Sequence, residues 1–323
     1  MERITSFFTL LSVLVLFSSC EKDEIPIEYV PELIEQGAFT SQLDMSSDYK
    51  FRLYYDIETD SVIAFHQKTD WDLSFACGPT EDRIRLNDSK LMLLWKVEGA
   101  SLEDLTAVQG NGPLLDTSDG LICATDGWVD AEAVYVIDRG FDEAGVPQGR
   151  YKVEFISVDA GSYVIRYAEL ASNTIFEAVI EKDPSRNEIQ FSFDSGVQLL
   201  EPAKEDWDLL FTHYTFYFEE EEIPYLVAGV LLNPYLVQAQ ALDIYDFEAI
   251  DEIYLSDIQL TDRRDIIGYD WKYFDLDSET YSVVDNAFAI RTPEGSLFKL
   301  QFTSFVDAEG EQGAPAFRAA QLQ

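Results

Sequence analysis

The chain has 323 residues, 47% of them hydrophobic and 14% aromatic, which is enough for a substantial core and too apolar for wholesale disorder. Asp and Glu number 61 against 22 Lys and Arg, a formal net charge of -39 that excludes nucleic-acid binding and disfavours docking on anionic lipid. The three cysteines (Cys20, Cys77, Cys123) and two histidines (His66, His213) are too scattered for a structural zinc site, and no phosphate loop, G-x-S-x-G elbow or H-E-x-x-H motif points to an enzyme.

Residues 1–19 read as a signal peptide. Arg3 is followed by an apolar run from Phe7 to Phe17, too short for a comfortable membrane span, and then by Ser18-Ser19 before Cys20. The segment resembles a bacterial lipoprotein signal, which implies cleavage before Cys20 and acylation of its thiol; the alternative is a plain secretory signal with an incidental cysteine. Residues 20–36 are an acidic tether with Pro26 and Pro31. Its Glu21-Lys22-Asp23-Glu24 run resembles the export signals of Bacteroidetes surface lipoproteins. The implied location is the outer membrane, lipid-anchored and facing the cell exterior. In an oxidising compartment Cys77 and Cys123 form either a disulfide or two buried free thiols.

From residue 37 to 323 the pattern is one of short apolar runs with period two, the signature of half-buried strands. Phe51, Leu53 and Tyr55 alternate with Arg52 and Tyr54; Ile63 and Phe65 follow an acidic turn; Ile84 and Leu86 alternate with arginines. Residues 91–97 fit a strand or a buried segment. Further runs lie at 134–137, 151–155, 162–167, 174–180, 189–193, 281–284, 287–291 and 298–305. Residues 235–255 are the best candidate for a helix or a loop with helical turns. The chain is therefore mainly β, an antiparallel two-sheet, sandwich-like fold with few helices.

One motif occurs twice. Asp70-Trp71-Asp72-Leu73-Ser74-Phe75 and Asp206-Trp207-Asp208-Leu209-Leu210-Phe211 each follow a lysine-containing turn, and each precedes an apolar strand ending at an asparagine, Asn87 or Asn233. Alternation puts Trp, Leu and Phe on one face of each strand. The repeat predicts a single structure built from two related halves, about 37–130 and 131–323; two independent domains split near residue 130 are the alternative.

These units, with Gly268-Tyr269-Asp270-Trp271-Lys272, Phe298-Lys299-Leu300-Gln301-Phe302 and Gly310 to Phe317, resemble the HmuY-like lipoproteins of Bacteroidetes over most of residues 37–320. The resemblance implies two sheets facing a pocket near one end, haem capture outside the cell, and transfer to an outer-membrane transporter. It implies two axial iron ligands on loops, commonly histidines and in some relatives methionines. One family position falls near Asp275 or Leu276, and the stretch that supplies the other, 235–270, has no His, Met or Cys. The family ligands therefore do not carry over.

The candidate iron ligands left are His66, His213, Met45, Met92, Cys77 and Cys123. His213 is the most suggestive, in Phe211-Thr212-His213-Tyr214 before the acidic run Glu219 to Glu222; it is either a hydrogen-bonded strand-end histidine or a haem ligand. By alternation it shares a face with Trp207, Leu209 and Phe211. Tyr214, Phe216, Tyr217 and Tyr235 are the candidate pocket aromatics, with ordinary packing as the alternative. His66 reads as a solvent-side turn residue, Met45 as exposed and Met92 as core. Arg83, Arg85, Arg263 and Arg264 are clustered enough to receive haem propionates. Asp275-x-Asp277-x-Glu279 invites a calcium reading, but lacks the glycine of an EF-hand loop. The leading expectation is haem or tetrapyrrole capture without catalysis. The competing one is a non-haem binding or structural surface lipoprotein with a glycan or protein partner.

Overall fold

The computed structural model describes residues 37–243, 246–275 and 280–322; the signal peptide, Cys20 and the tether lie outside the described residues. The period-two runs form strands throughout, every paired strand antiparallel. The expected two sheets are four, plus a two-stranded ribbon. The 91–97 run is a strand (Leu93–Glu98), and residues 235–255 hold one strand (Gln238–Leu242), a 3-10 turn and a single four-residue α-helical turn rather than a longer helix.

The four sheets pack as two sandwiches. A six-stranded sheet, in the order Phe176–Glu181, Ser162–Glu169, Arg150–Val158, Ala133–Asp138, Leu93–Glu98, Asn111–Leu114, faces a four-stranded sheet of Gly196–Gln198, Glu188–Ser192, Leu73–Ala76 and Ile84–Leu86. Leu73, Phe75, Ile84, Ile137, Val153, Tyr163 and Phe191 fill the layer between them. A five-stranded sheet, Ala38–Gln42, Gln312–Gln321, Leu297–Val306, Ala287–Arg291, Gln238–Leu242, faces a second four-stranded one of Ile223–Leu232, Leu209–Phe218, Phe51–Asp56 and Ser61–Gln67. Its core holds Tyr55, Leu209, Phe211, Phe288, Phe302 and Phe317, each large side chain worth about 2–3 kcal/mol on burial. Met45 belongs here, 2% exposed rather than solvent-facing, and Met92 lies in the first core.

The sandwiches exchange strands. The Phe51–Gln67 hairpin precedes Trp71 in sequence, yet pairs with the strand after Trp207, Leu53 opposite Phe211 and Tyr55 opposite Leu209. The Glu188–Gln198 hairpin precedes Trp207, yet pairs with the strand after Trp71, Phe191 opposite Leu73 and Ile189 opposite Phe75. The six-stranded sheet draws strands from both sides of residue 130, so that position does not separate the two sandwiches.

The duplicated motif holds this exchange in place with one hydrogen-bond set used twice. Asn87 Nδ2 donates to Lys68 O (2.6 Å) and Trp71 O (2.8 Å); Asn233 Nδ2 donates to Lys204 O (2.8 Å) and Trp207 O (2.5 Å). Asp72 N and Asp208 N donate to Phe191 O and Tyr55 O of the exchanged hairpins, and the two carboxylates accept from Phe193 N and Ile57 N. Asp72 also pairs with buried Lys90 (2.6 Å) and Arg139 (2.9 Å). Asp208 has no cation among its hydrogen-bond partners, and burial pushes its pKa up to about 7.

The tryptophans depart from the alternation argument. Both stand before their strands begin, where strand parity does not apply, and both turn into the space between the sandwiches. Leu209 and Phe211 enter one core, while Trp207 packs with Leu210 and Tyr214 on the other side of the sheet.

Asn87 and Asn233 are fully buried, and each donates twice to backbone carbonyls. Replacing either by Ala is expected to cost about 2–4 kcal/mol. Urea unfolding checks this; a loss below about 0.5 kcal/mol, the range of ordinary surface substitutions, would show that the pins do not hold the exchange.

Candidate functional site

Leu209–Phe218 and its partner Ile223–Leu232 are ten residues each, but the pairing with Phe51–Asp56 stops at Phe211. Residues 212–218 and 223–229 therefore run on as a two-stranded arm. The ribbon Lys272–Asp275 with Thr280–Val283 stands beside it. Two glycines bring ribbon and arm together. Gly268 takes a left-handed φ of 57°, and it exchanges hydrogen bonds with Val230 at 2.9 and 3.0 Å. A Cβ on neighbouring Gly229 would sit 2.3 Å from the Gly268 carbonyl, so this approach requires glycine. Trp271, stacked on Phe302 at 4.1 Å, anchors the ribbon into the core.

Arm, ribbon and sandwich edge enclose a cavity of about 580 Å³. Its walls are Tyr225, Val227, Tyr269, Tyr273, Phe274 and Tyr281; Tyr49, Phe305 and Gln312 come from the sandwich, and His213 and Lys272 supply nitrogen. Tyr225, Tyr273, Phe274 and Tyr281 are 45–60% exposed, although aromatics of this size are usually buried. A volume of this size with aromatic walls and few polar groups suits an organic ligand.

The His213 ring stacks on Tyr49 with centroids 4.7 Å apart. Lys68 Nζ lies 3.4 Å from its Nδ1, and Nε2 has no hydrogen-bond partner among the described residues. Burial, reinforced by Lys68 and Lys272, lowers its pKa to about 3, so the imidazole is neutral and keeps one ring-nitrogen lone pair. Lys272 donates to Ala228 O at 3.0 Å, lies 4.6 Å from the Trp271 ring centroid, and has its pKa lowered to about 8 by burial.

Of the candidate ligand and pocket residues named from sequence, His213 alone lines this cavity, together with Tyr269, Asp270 and Lys272 of the family-like segment. Tyr214 is buried on the other side of the sheet with Trp207 and Leu210, beside Gly268. Phe216 packs on Tyr269 and Phe218 and, with Tyr217 and the Glu219–Glu221 run, lines a separate groove. Tyr235 lies under Lys204 and donates to Glu205 at 3.3 Å. His66 is a buried strand residue, 7% exposed, with Nδ1 2.8 Å from Gln67 O, rather than a solvent-side one. Cys77 and Cys123 are free and buried, and burial raises their thiols to about 11 and about 12. Arg85 and Arg264 face an internal cavity between the sandwiches, Arg263 pairs with Asp265 and Arg83 with Glu81, so none of the four arginines lines the aromatic cavity. Leu276, Asp277 and Glu279 lie outside the described residues. Sequence reasoning missed Tyr49, Tyr225 and Phe305, which converge from three distant segments with no common motif.

The HmuY protein family model matches residues 48–318. This chain belongs to the HmuY family. Similar solved structures include apo PinO from Porphyromonas gingivitis, with 10% identity over 88% of this chain and 97% of that one and a TM-score of 0.35. The apo HmuY analog TFO of Tannerella forsythia is 10% identical over 88% and 96%, at 0.34. An HmuY-like heme-binding protein from Bacteroides vulgatus is 12% identical over 51% and 96%, at 0.25. No curated protein matches this HmuY-family chain.

The depressed histidines set a pH prediction. His213 and His66 both have folded pKa values of about 3 against 6.5 when unfolded. Their contribution is fully present above pH 6.5 and is lost as pH falls from 6.5 toward 3, because the unfolded chain takes up these protons first. NMR titration of the folded protein is expected to show neither ring protonating between pH 8 and 4. His213→Asn is expected to flatten the fall in stability over that window relative to the parent chain.

Proposed function

We propose that this HmuY-family protein captures haem or a related tetrapyrrole outside the cell and passes it to an outer-membrane transporter, as a binding protein rather than an enzyme. The observation that carries this is the aromatic cavity with a neutral histidine at its base. The flat walls accept a macrocycle by stacking. His213 is the side chain that would ligate iron. Lys272 supplies positive charge for propionates. One family ligand position falls near Asp275 or Leu276; Asp275 ends a strand of the ribbon that forms one wall, and Leu276 lies outside the described residues.

The residues fit the group on one condition. Charged Lys68 donates to Nδ1 and so leaves the imidazole proton on Nε2. Ligation through Nε2 needs that proton on Nδ1, so the 3.4 Å contact has to open. The side-chain oxygens lining the cavity come from tyrosines, which serve as haem ligands in some proteins, and from Asp270 and Gln312. Cys20 would hold the protein at the outer surface through its lipid, and loss of palmitate labelling in Cys20→Ala would check that anchor. The exposed aromatics also favour a second reading, a glycan stacked on Tyr225, Tyr273 and Tyr281.

The test is an absorbance titration of the mature chain, with Cys20 removed, against haem. A saturable Soret shift is expected, about tenfold or more weaker in His213→Ala. Iron-free protoporphyrin is expected to bind both proteins alike, by fluorescence. Lys68→Met is expected to tighten haem binding, because it frees Nδ1 to carry the proton. No saturable Soret shift would overturn haem capture and leave the glycan reading.

A further inference from the structure

A second cavity lies between the sandwiches, where the two Trp-Asp-Leu units meet. It is small, about 40 Å³, room for about two or three water-sized occupants. Trp71 and Trp207 both line it, so the duplication brings its two indoles to one place. Arg52, Arg264 and Ser74 complete the donor set. Among the described residues no atom satisfies Trp71 Nε1, Trp207 Nε1, Arg52 Nε, Arg264 Nε or Ser74 Oγ, although each is buried. Trp71, Trp207, Arg52 and Ser74 are 1–4% exposed. Four of the five atoms are N–H groups, which only donate, and the fifth is a hydroxyl.

The acids around the cavity are already engaged. Asp88 pairs with Arg52 at 2.5 Å, and Glu188 with Arg85 at 3.3 Å. Asp116 accepts from Leu86 N and Ala124 N, and Glu201 from Asn187 Nδ2 and Glu188 N. Arg264 has no carboxylate among its hydrogen-bond partners. Glu188, Asp88 and Glu201 act on Arg264 only through space, so its Nε–H and the other unsatisfied donors lining this one small cavity call for a compact acceptor.

We propose that this cavity is a binding site for a monatomic anion of the halide class, held by the indole N–H groups of Trp71 and Trp207 and by the Nε–H groups of Arg52 and Arg264. The anion sits at the junction of the two sandwiches and ties them together. It is separate from the aromatic cavity, with which it shares no lining residue.

Chloride is the probe, added to the mature chain against sodium gluconate at matched ionic strength, with ³⁵Cl line broadening and thermal unfolding as readouts. Saturable broadening and a chloride-specific rise in Tm are expected. Trp207→Phe keeps the ring shape and removes one donor, and is expected to weaken chloride about tenfold. If that variant does not fold, a bromide-soaked crystal of the parent chain decides, by an anomalous peak in the cavity. Equal behaviour in chloride and gluconate, or bromide missing from the cavity, would overturn the proposal and assign the donors to water.

Discussion

The fold depends on a buried asparagine used twice. Asn87 and Asn233 each tie the lysine turn and the tryptophan carbonyl ahead of a strand to the end of a later strand. Each is followed in space by an aspartate that accepts a backbone N–H from a hairpin belonging to the other unit. Neither unit can complete its four-stranded sheet alone, so the strand exchange and the pins form one cooperative structure. The first pin is further closed by Lys90 and Arg139 on Asp72, while the second leaves Asp208 with its backbone partners alone. The same motif thus carries an ion cluster in one copy and a desolvated carboxyl in the other.

Comparing the two copies explains why the aromatic cavity belongs to one sandwich. His213 stands six residues after Trp207, and Cys77 stands six after Trp71. The strand after Trp71 ends at Ala76, flanked on both sides by neighbours, and Cys77 is sealed with its thiol 3.8 Å from Phe75 O. The strand after Trp207 runs to Phe218, past the end of its pairing with Phe51–Asp56. That overhang gives the ribbon something to stand against and leaves the imidazole at the base of a cavity. Strand length, more than the residue at the sixth position, separates a sealed thiol from an imidazole that lines a cavity.

Much of this was legible in the sequence. Period-two alternation marked the strands, and the repeated Trp-Asp-Leu unit with its asparagine marked both pins. His213 stood out because it is a rare residue at the end of an unusually aromatic strand. Pairing was not legible: nothing local says that Phe51–Asp56 pairs across the repeat, and two sheets were expected where four form. The tryptophan face was misread because parity was extended past the strand start. Met45 and His66 looked exposed among polar neighbours, but long-range packing of the five-stranded sheet and of Tyr54 covers them. Tyr214, Phe216, Tyr217 and Tyr235 rested on family position and a loop-rich context, whereas the cavity draws Tyr49, Tyr225, Tyr281 and Phe305 from separate segments.

The charge distribution sharpens what the aromatic cavity can select. Several of the 22 basic residues are spent inside the protein: Arg52, Lys90 and Arg139 in ion pairs, Lys152 on a buried carbonyl, Lys299 on two. The outer surface is therefore more acidic than the net charge alone conveys. An anionic ligand meets repulsion within a Debye length of about 8 Å of this surface, screened beyond it, and attraction only at contact, where Lys272 lies in a desolvated setting. Such a site gains little from long-range steering. It discriminates by fit and stacking once the ligand is at the cavity mouth, where the exposed rings of Tyr225, Tyr273, Phe274 and Tyr281 offer the first surface it touches.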